Sequence, residues 1–206
     1  MNRKIGMAVS LVNAIAVTGF ALSMLLGTNF GSYLSSLFIA FSFVPMICSY
    51  TFYAKMEKKL AGIVAAGFAV MYATLISLVY FAQMTTVQAG GLTAQAAILL
   101  DFQQFGLLFN YDMLGYALMA LSTFFAGLTV CVNSKADKWL KVLLLIHGVF
   151  FITCLILPML GLFTPDMTGA EWIGTAVLEF WCVYFIPIGI LSFLYFSKCK
   201  DRSMEI

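Results

Sequence analysis

Apolar residues run along this chain in long blocks separated by short polar breaks, and the lengths of those blocks decide its class. Six blocks are long enough to cross about 30 Å of hydrocarbon as helices rising 1.5 Å per residue. They lie near residues 5–27, 33–54, 60–84, 112–132, 139–163 and 172–197. The pattern predicts an all-α fold, a polytopic transmembrane helical bundle of six spans forming one integral membrane domain over residues 1–206. The first block begins with the basic Asn2-Arg3-Lys4 and contains an Ala14-Ile15-Ala16 triplet, as a signal peptide would. Its apolar character continues to Leu26, beyond the apolar core of such a peptide, so it reads as an uncleaved span.

One connection departs from the rest. Residues 85–111, TTVQAGGLTAQAAILLDFQQFGLLFNY, are long and rather apolar for a loop. Thr93 can cap a helix and Gly106 can end one. Between them Gln95, Asp101, Gln103 and Gln104 are interspersed with Ile98, Leu99, Leu100 and Phe102. This predicts a short interfacial helix in the 85–111 outer connection, serving as a lid over the bundle or as a gate or ligand wall.

Composition supports the same class. The chain is 63% hydrophobic and 10% charged, whereas soluble domains carry about 25% charged residues. A nucleic-acid-binding role has no basic domain to rest on. The net charge of +2 is uninformative; the placement of the charges is not. Arg3 and Lys4 precede the first span, and Lys55, Lys58 and Lys59 separate the second and third. Lys135, Lys138 and Lys141 adjoin the fourth and fifth, and Lys198, Lys200 and Arg202 follow the sixth. The connections 28–32, 85–111 and 164–171 contain no Lys or Arg. The positive-inside rule then places both termini in the cytoplasm. Asp101, Asp112, Asp166 and Glu171 fall at or near the outer face, and Glu57, Asp137, Asp201 and Glu205 inside. Trp139 and Trp172 open spans five and six at opposite surfaces, where amphipathic rings favour the headgroup level.

Helices in lipid associate through close packing and polar contacts. Span three carries Ala61, Ala65, Ala69, Ala73 and Ser77 at four-residue spacing; span one offers Gly19, Ser23 and Gly27, and span four Thr123, Gly127 and Cys131. These rows suit contacts within the bundle or between copies of a homo-oligomer. Pro45, Pro158 and Pro187 lie within spans two, five and six and can kink them. The five cysteines show no metal spacing and read as small apolar residues.

The candidate chemistry lies in the few deep polar groups. Glu179 stands seven residues from Trp172, about 10 Å below the outer boundary. A carboxylate at such a depth is costly and commonly functional. Thr175 and Cys182 share its face, Ser77, Tyr80 and Gln83 occupy the same outer level on span three, and Asp112 starts span four above it. These residues form a candidate ligand-binding or proton-coupling site. His147 and Asn13 fall at one level in the inner half and are expected to form a structural hydrogen bond between spans one and five. No HExxH, GxSxG, GxGxxG or Ser-His-Asp pattern is present. No catalytic residue, cofactor or metal is therefore assigned, and an enzyme is the less favoured class.

The segments NYDMLGYALMALSTFFAG and KWLKVLLLIHGVF resemble small multi-span membrane proteins of bacteria to which no activity is attached. The resemblance covers roughly the last hundred residues and implies a bacterial inner (plasma) membrane location among membrane lipids. Two functions stay open. One is a small transporter or ligand-binding membrane protein, taking a small molecule or cation, with Glu179 as ionisable centre. The alternative is a non-catalytic accessory, immunity or regulatory membrane protein acting through helix contacts.

Overall fold

The computed structural model describes residues 1–163 and 170–199. Asp166, Lys200, Asp201, Arg202 and Glu205, placed by charge above, lie outside the described residues, as does the side chain of Glu171. Among the described residues eight α-helices are formed: α1 (Asn2–Leu25), α2 (Asn29–Tyr53), α3 (Lys59–Ala82), α4 (Ala94–Leu100), α5 (Leu107–Thr129), α6 (Lys135–His147), α7 (Phe150–Met159) and α8 (Ala170–Lys198). No strand occurs among the described residues. Among the described residues six helical segments are long and apolar enough to cross a membrane, which suits a multi-pass membrane protein. They match the six apolar blocks to within a few residues, span four excepted. Span three extends through a 3-10 turn at Met56–Lys58 and a π-turn at Gln83–Val87.

The spans form a ring. α1 packs on α2 and α8, α3 packs on α2 and α5, and α5 carries both α6 and α7. α6 closes the ring on α8, whereas α7 leans on α5. The division of span five falls at Gly148, not at Pro158. Gly148 and Val149 donate to the carbonyls of Leu145 and Ile146, three residues back, which tightens the helix into a turn. A side chain at Gly148 would meet Phe124 of α5, so the turn also seats span five against its neighbour.

The small-residue rows explain how these faces approach. Gly19 faces Ser35, and Ser23 lies against Gly31, so the span-one row meets α2. Gly127 receives Leu144 and Leu145, so the span-four row meets α6. The alanine row of span three rotates by about 40° at each four-residue step, since a helix advances about 100° per residue. Ala65 and Ala69 are fully buried, while Ala61, Ala73 and Ser77 turn to half-buried positions. Polar contacts reinforce the close approach: Ser122 donates to the Ala65 carbonyl across α5 and α3, and Thr51 to the Gly62 carbonyl across α2 and α3.

Side chains close a few of the ends. Ser134 and Asp137 form a reciprocal box at the start of α6, with Asp137 N–H donating to the Ser134 hydroxyl and Asn133 N–H to the Asp137 carboxylate. Lys59 donates to the carbonyls of Thr51 and Phe52 and closes α2. Lys198 stands 3.6 Å from the buried Asp137 and ties the end of α8 to the same corner. Beside it, burial pushes the Cys199 thiol up to about 11, with Asp137 and Cys131 adding to the effect. Cys199 is therefore a neutral thiol at neutral pH.

Candidate functional site

The residues with chemistry to offer gather near the end of the bundle that carries the 85–111 connection. α5 begins at Leu107, so Asp112 lies a turn and a half inside it instead of at its start. The reason is Gly106. Read as the end of the preceding helix, it is the residue before α5, and a Cβ there would fall 1.8 Å from the Ile98 carbonyl oxygen. Only glycine permits that approach of the connection to α4. The preceding helix is capped by Thr93 as expected, its hydroxyl accepting from Ala96 N–H, but it ends at Leu100.

Asp112 is 3% exposed. Its carboxyl lies within hydrogen-bonding reach of the Tyr80 hydroxyl of α3, which also reaches Ser36 of α2 and Tyr116 of α5. Tyr116 stands one turn beyond Asp112 on the same face of α5, with its ring 6.1 Å from that of Tyr72. Two polar atoms in this cluster have no hydrogen-bond partner: Asp112 Oδ1 and the hydroxyl of the fully buried Tyr72. Such groups cost about 1–3 kcal/mol each when enclosed, more when charged.

The 85–111 connection closes over this cluster. Phe102 packs its ring 6.0 Å from Tyr80, 6.5 Å from Tyr33 and 5.2 Å from Phe109. Gln83, at the end of span three, holds the connection through both ends of its amide. Nε2 donates to the Leu100 carbonyl at 2.7 Å, and Oε1 accepts from Phe102 N–H at 3.1 Å.

Glu179 stands apart from this group. It lies on α8, which packs on α1 and α6, whereas Tyr80 and Ser77 lie on α3 and Asp112 on α5. Its shared level with those residues does not become contact, because α3 and α8 sit across the ring from each other. Glu179 is half-buried, with Oε1 enclosed and without a hydrogen-bond partner. Thr175 lies one turn before it, also half-buried, and Cys182 is buried one turn after it. Ser77 lines an apolar groove between α2 and α3 with Phe41, Pro45 and Leu78. The two carboxyls thus occupy different surroundings: Asp112 among hydroxyls inside the ring, Glu179 on one wall of it.

The expected pair of Asn13 and His147 does not form. Asn13 donates to Ser42 and the Ile39 carbonyl of α2 at 3.0 and 3.2 Å. His147 is 1% exposed and uses both ring nitrogens elsewhere. Trp181 Nε1–H donates to its Nε2 at 3.0 Å, and its Nδ1 meets the Thr123 hydroxyl at 2.7 Å. Because indole can only donate, Nε2 is the acceptor and Nδ1 carries the proton. Depth alone made Asn13 and His147 partners. Helix order separates them, since α1 lies between α2 and α8 while α6 lies between α5 and α8.

Tyr116, Ser36 and Tyr72 were not singled out from the sequence; Gln83 was placed at the outer level of span three, without its bonds to the connection. Tyr116 had a signal: it follows Asp112 by four residues, on one helical face. For the others, the facing helices are not encoded in any local spacing. Among the described residues no cluster of three metal-ligating side chains occurs. Comparison with protein-family models, with curated proteins and with solved structures finds no match to this chain.

Proposed function

We propose that this chain is a small ligand-binding or transport protein of the cell membrane, with Asp112 as its ionisable centre and a small cation as its ligand. The observation that carries this reading is the enclosed Asp112 Oδ1, without a partner beside the similarly unpartnered Tyr72 hydroxyl. Buried acids in membrane bundles commonly mark ion or substrate paths. A cation there neutralises the carboxylate and accepts the lone pairs of both oxygens. Glu179, with Thr175 one turn before it on α8, is the secondary acid of this reading. The accessory reading draws on a different observation. α7 has no buried residue, and Trp172, Val177, Phe180 and Val183 of α8 are exposed, faces a protein partner could cover.

The test uses the purified protein in detergent, with thermal unfolding followed in lithium, sodium, potassium or tetramethylammonium chloride at constant ionic strength. A ligand present at about a hundred times its Kd stabilises by about 2.7 kcal/mol. A saturable rise with at least one cation is expected for the natural chain and is absent in Asp112→Asn, which keeps the side-chain shape. If the two proteins respond alike to every salt, the cation reading fails and the accessory reading takes its place.

In the same reading both termini face the cytoplasm, the membrane is the bacterial inner membrane, and α4 lies along its outer surface. The Lys and Arg distribution supports this orientation. In a cysteine-free background, cysteines replacing Thr28 and Gln95 should react with an impermeant thiol reagent added to intact cells. Those replacing Lys55 and Asn133 should react only after the membrane is opened. Labelling at Asn133 from outside would reverse the orientation.

A further inference from the structure

Phe102 is the ring laid over Tyr80 and Tyr33, and no regular helix holds it in place. α4 has ended at Leu100, and residues Phe102–Gln104 make a single 3-10 turn. What fixes the ring is the amide of Gln83, 3% exposed, bonded to the Leu100 carbonyl and to the N–H of Phe102 itself. The backbone on either side suits a pivot. Gly90 and Gly91 both adopt positive φ, 74° and 77°, and nothing lies within 4 Å of where their side chains would be. On the far side Phe105 adopts φ 52°, a conformation uncommon for a residue with a side chain. The intervening segment buries little: α4 has no fully buried residue, and Ile98 and Leu99 are more than half exposed. Its attachment over the cluster is through Gln83 and the Phe102 ring, while at its far end the Phe105 ring rests on Phe109 and Phe163 at 4.8 and 6.3 Å.

We propose that residues 92–105 form a hinged strap over the Asp112 site, that Gln83 is its latch, and that a ligand reaches Asp112 from the outer side when Phe102 lifts. This rests on the reading of Asp112 as a ligand site, and it gives that site its means of access. Few contacts and exposed backbone are the marks of a segment that opens locally at low cost. Segments that cover buried sites commonly move on such terms. The latch belongs to span three and not to the strap, so any shift at the end of α3 acts directly on access.

The strap can be tested without a ligand. A water-soluble carbodiimide with an excess of glycine ethyl ester converts a reachable carboxyl into an amide. Peptide mass spectrometry then follows the modification of Asp112 over time in the full-length purified protein. The natural chain should react slowly at Asp112. Gln83→Leu removes both latch bonds while keeping a similar volume, and should raise the rate about tenfold, the order expected for losing a buried hydrogen-bonded anchor. Phe102→Ala removes the plug yet leaves the latch intact, because the Gln83 bond uses the backbone N–H of residue 102; it should also accelerate the reaction. Gln95→Leu, on the exposed face of α4, should leave the rate unchanged. Equal rates in all four proteins, or rapid reaction in the natural chain, overturn the strap whether or not Asp112 holds a cation. Faster reaction in both variants, combined with no effect of Asp112→Asn on cation stabilisation, upholds the strap and removes the ligand reading.

Discussion

His147→Ala should lower the stability of the purified protein by about 3–5 kcal/mol, the range for removing a large enclosed ring from a core. The ring is enclosed at the meeting of three helices. Thr123 of α5 and Trp181 of α8 bond its two nitrogens from either side. Phe150, Tyr184 and Phe185 surround it at centroid distances of 5.2, 5.9 and 5.1 Å. Most of the loss comes from the void. The hydrogen bonds contribute less, since such bonds between helices in membrane proteins average about 0.6 kcal/mol. Leaving the Trp181 N–H without an acceptor adds a further cost. Thermal or denaturant unfolding in detergent measures the effect. A variant as stable as the natural chain would mean that the α5–α6–α8 corner is open, contrary to the structure.

Gly189→Leu and Gly174→Leu should give opposite results, although both change glycine to leucine on α8. A Cβ at Gly189 would stand 2.9 Å from the Ala14 Cβ and 3.2 Å from the Ala14 backbone, whereas at Gly174 it meets nothing within 4 Å. Both substitutions gain helix propensity of up to about 1 kcal/mol. Only the first forces α8 away from α1, and overpacking of this kind costs about 1–3 kcal/mol. Gly189→Leu should therefore unfold earlier than the natural chain, and Gly174→Leu no earlier. Equal stability of the two variants would show that the α1–α8 seam is not close-packed.

The architecture was readable because each span carries its own signal. A run of about twenty apolar residues is self-sufficient, whatever its neighbours. Caps are equally local, which is why Thr93 was identified correctly as the start of α4. The errors arose where a local signal has two meanings. Gly106 serves as well before a helix as after one, and choosing the wrong meaning moved Asp112 from the interior of span four to its edge. Partners across helices depend on rotation and on order around the ring, and neither is written in the spacing of a single span. Asn13 and His147 share a level but belong to different neighbourhoods, and Glu179 shares a level with Tyr80 across the bundle. Tyr80 and Asp112 were grouped from the sequence, but Ser36, Tyr72 and Tyr116 joined them only when α2, α3 and α5 were set side by side.

The seam between α1 and α8 also constrains the order of assembly during synthesis. α2, α3 and α5 each pack on the preceding span in the chain, so their contacts can form as translation proceeds. The remaining face of α1 cannot be covered in that way. Gly6 lies against Phe196, Phe20 against Trp181, and Ala14 against Gly189, all in the last span to be made. Until that span enters the membrane, the first helix presents an unfilled notch to the lipid. A chain that stalls before residue 189 is left with its first and last elements unjoined. Such a chain leaves open both the notch on α1 and the faces of α2, α5 and α6 that Phe185 and Trp181 of α8 cover in the finished protein.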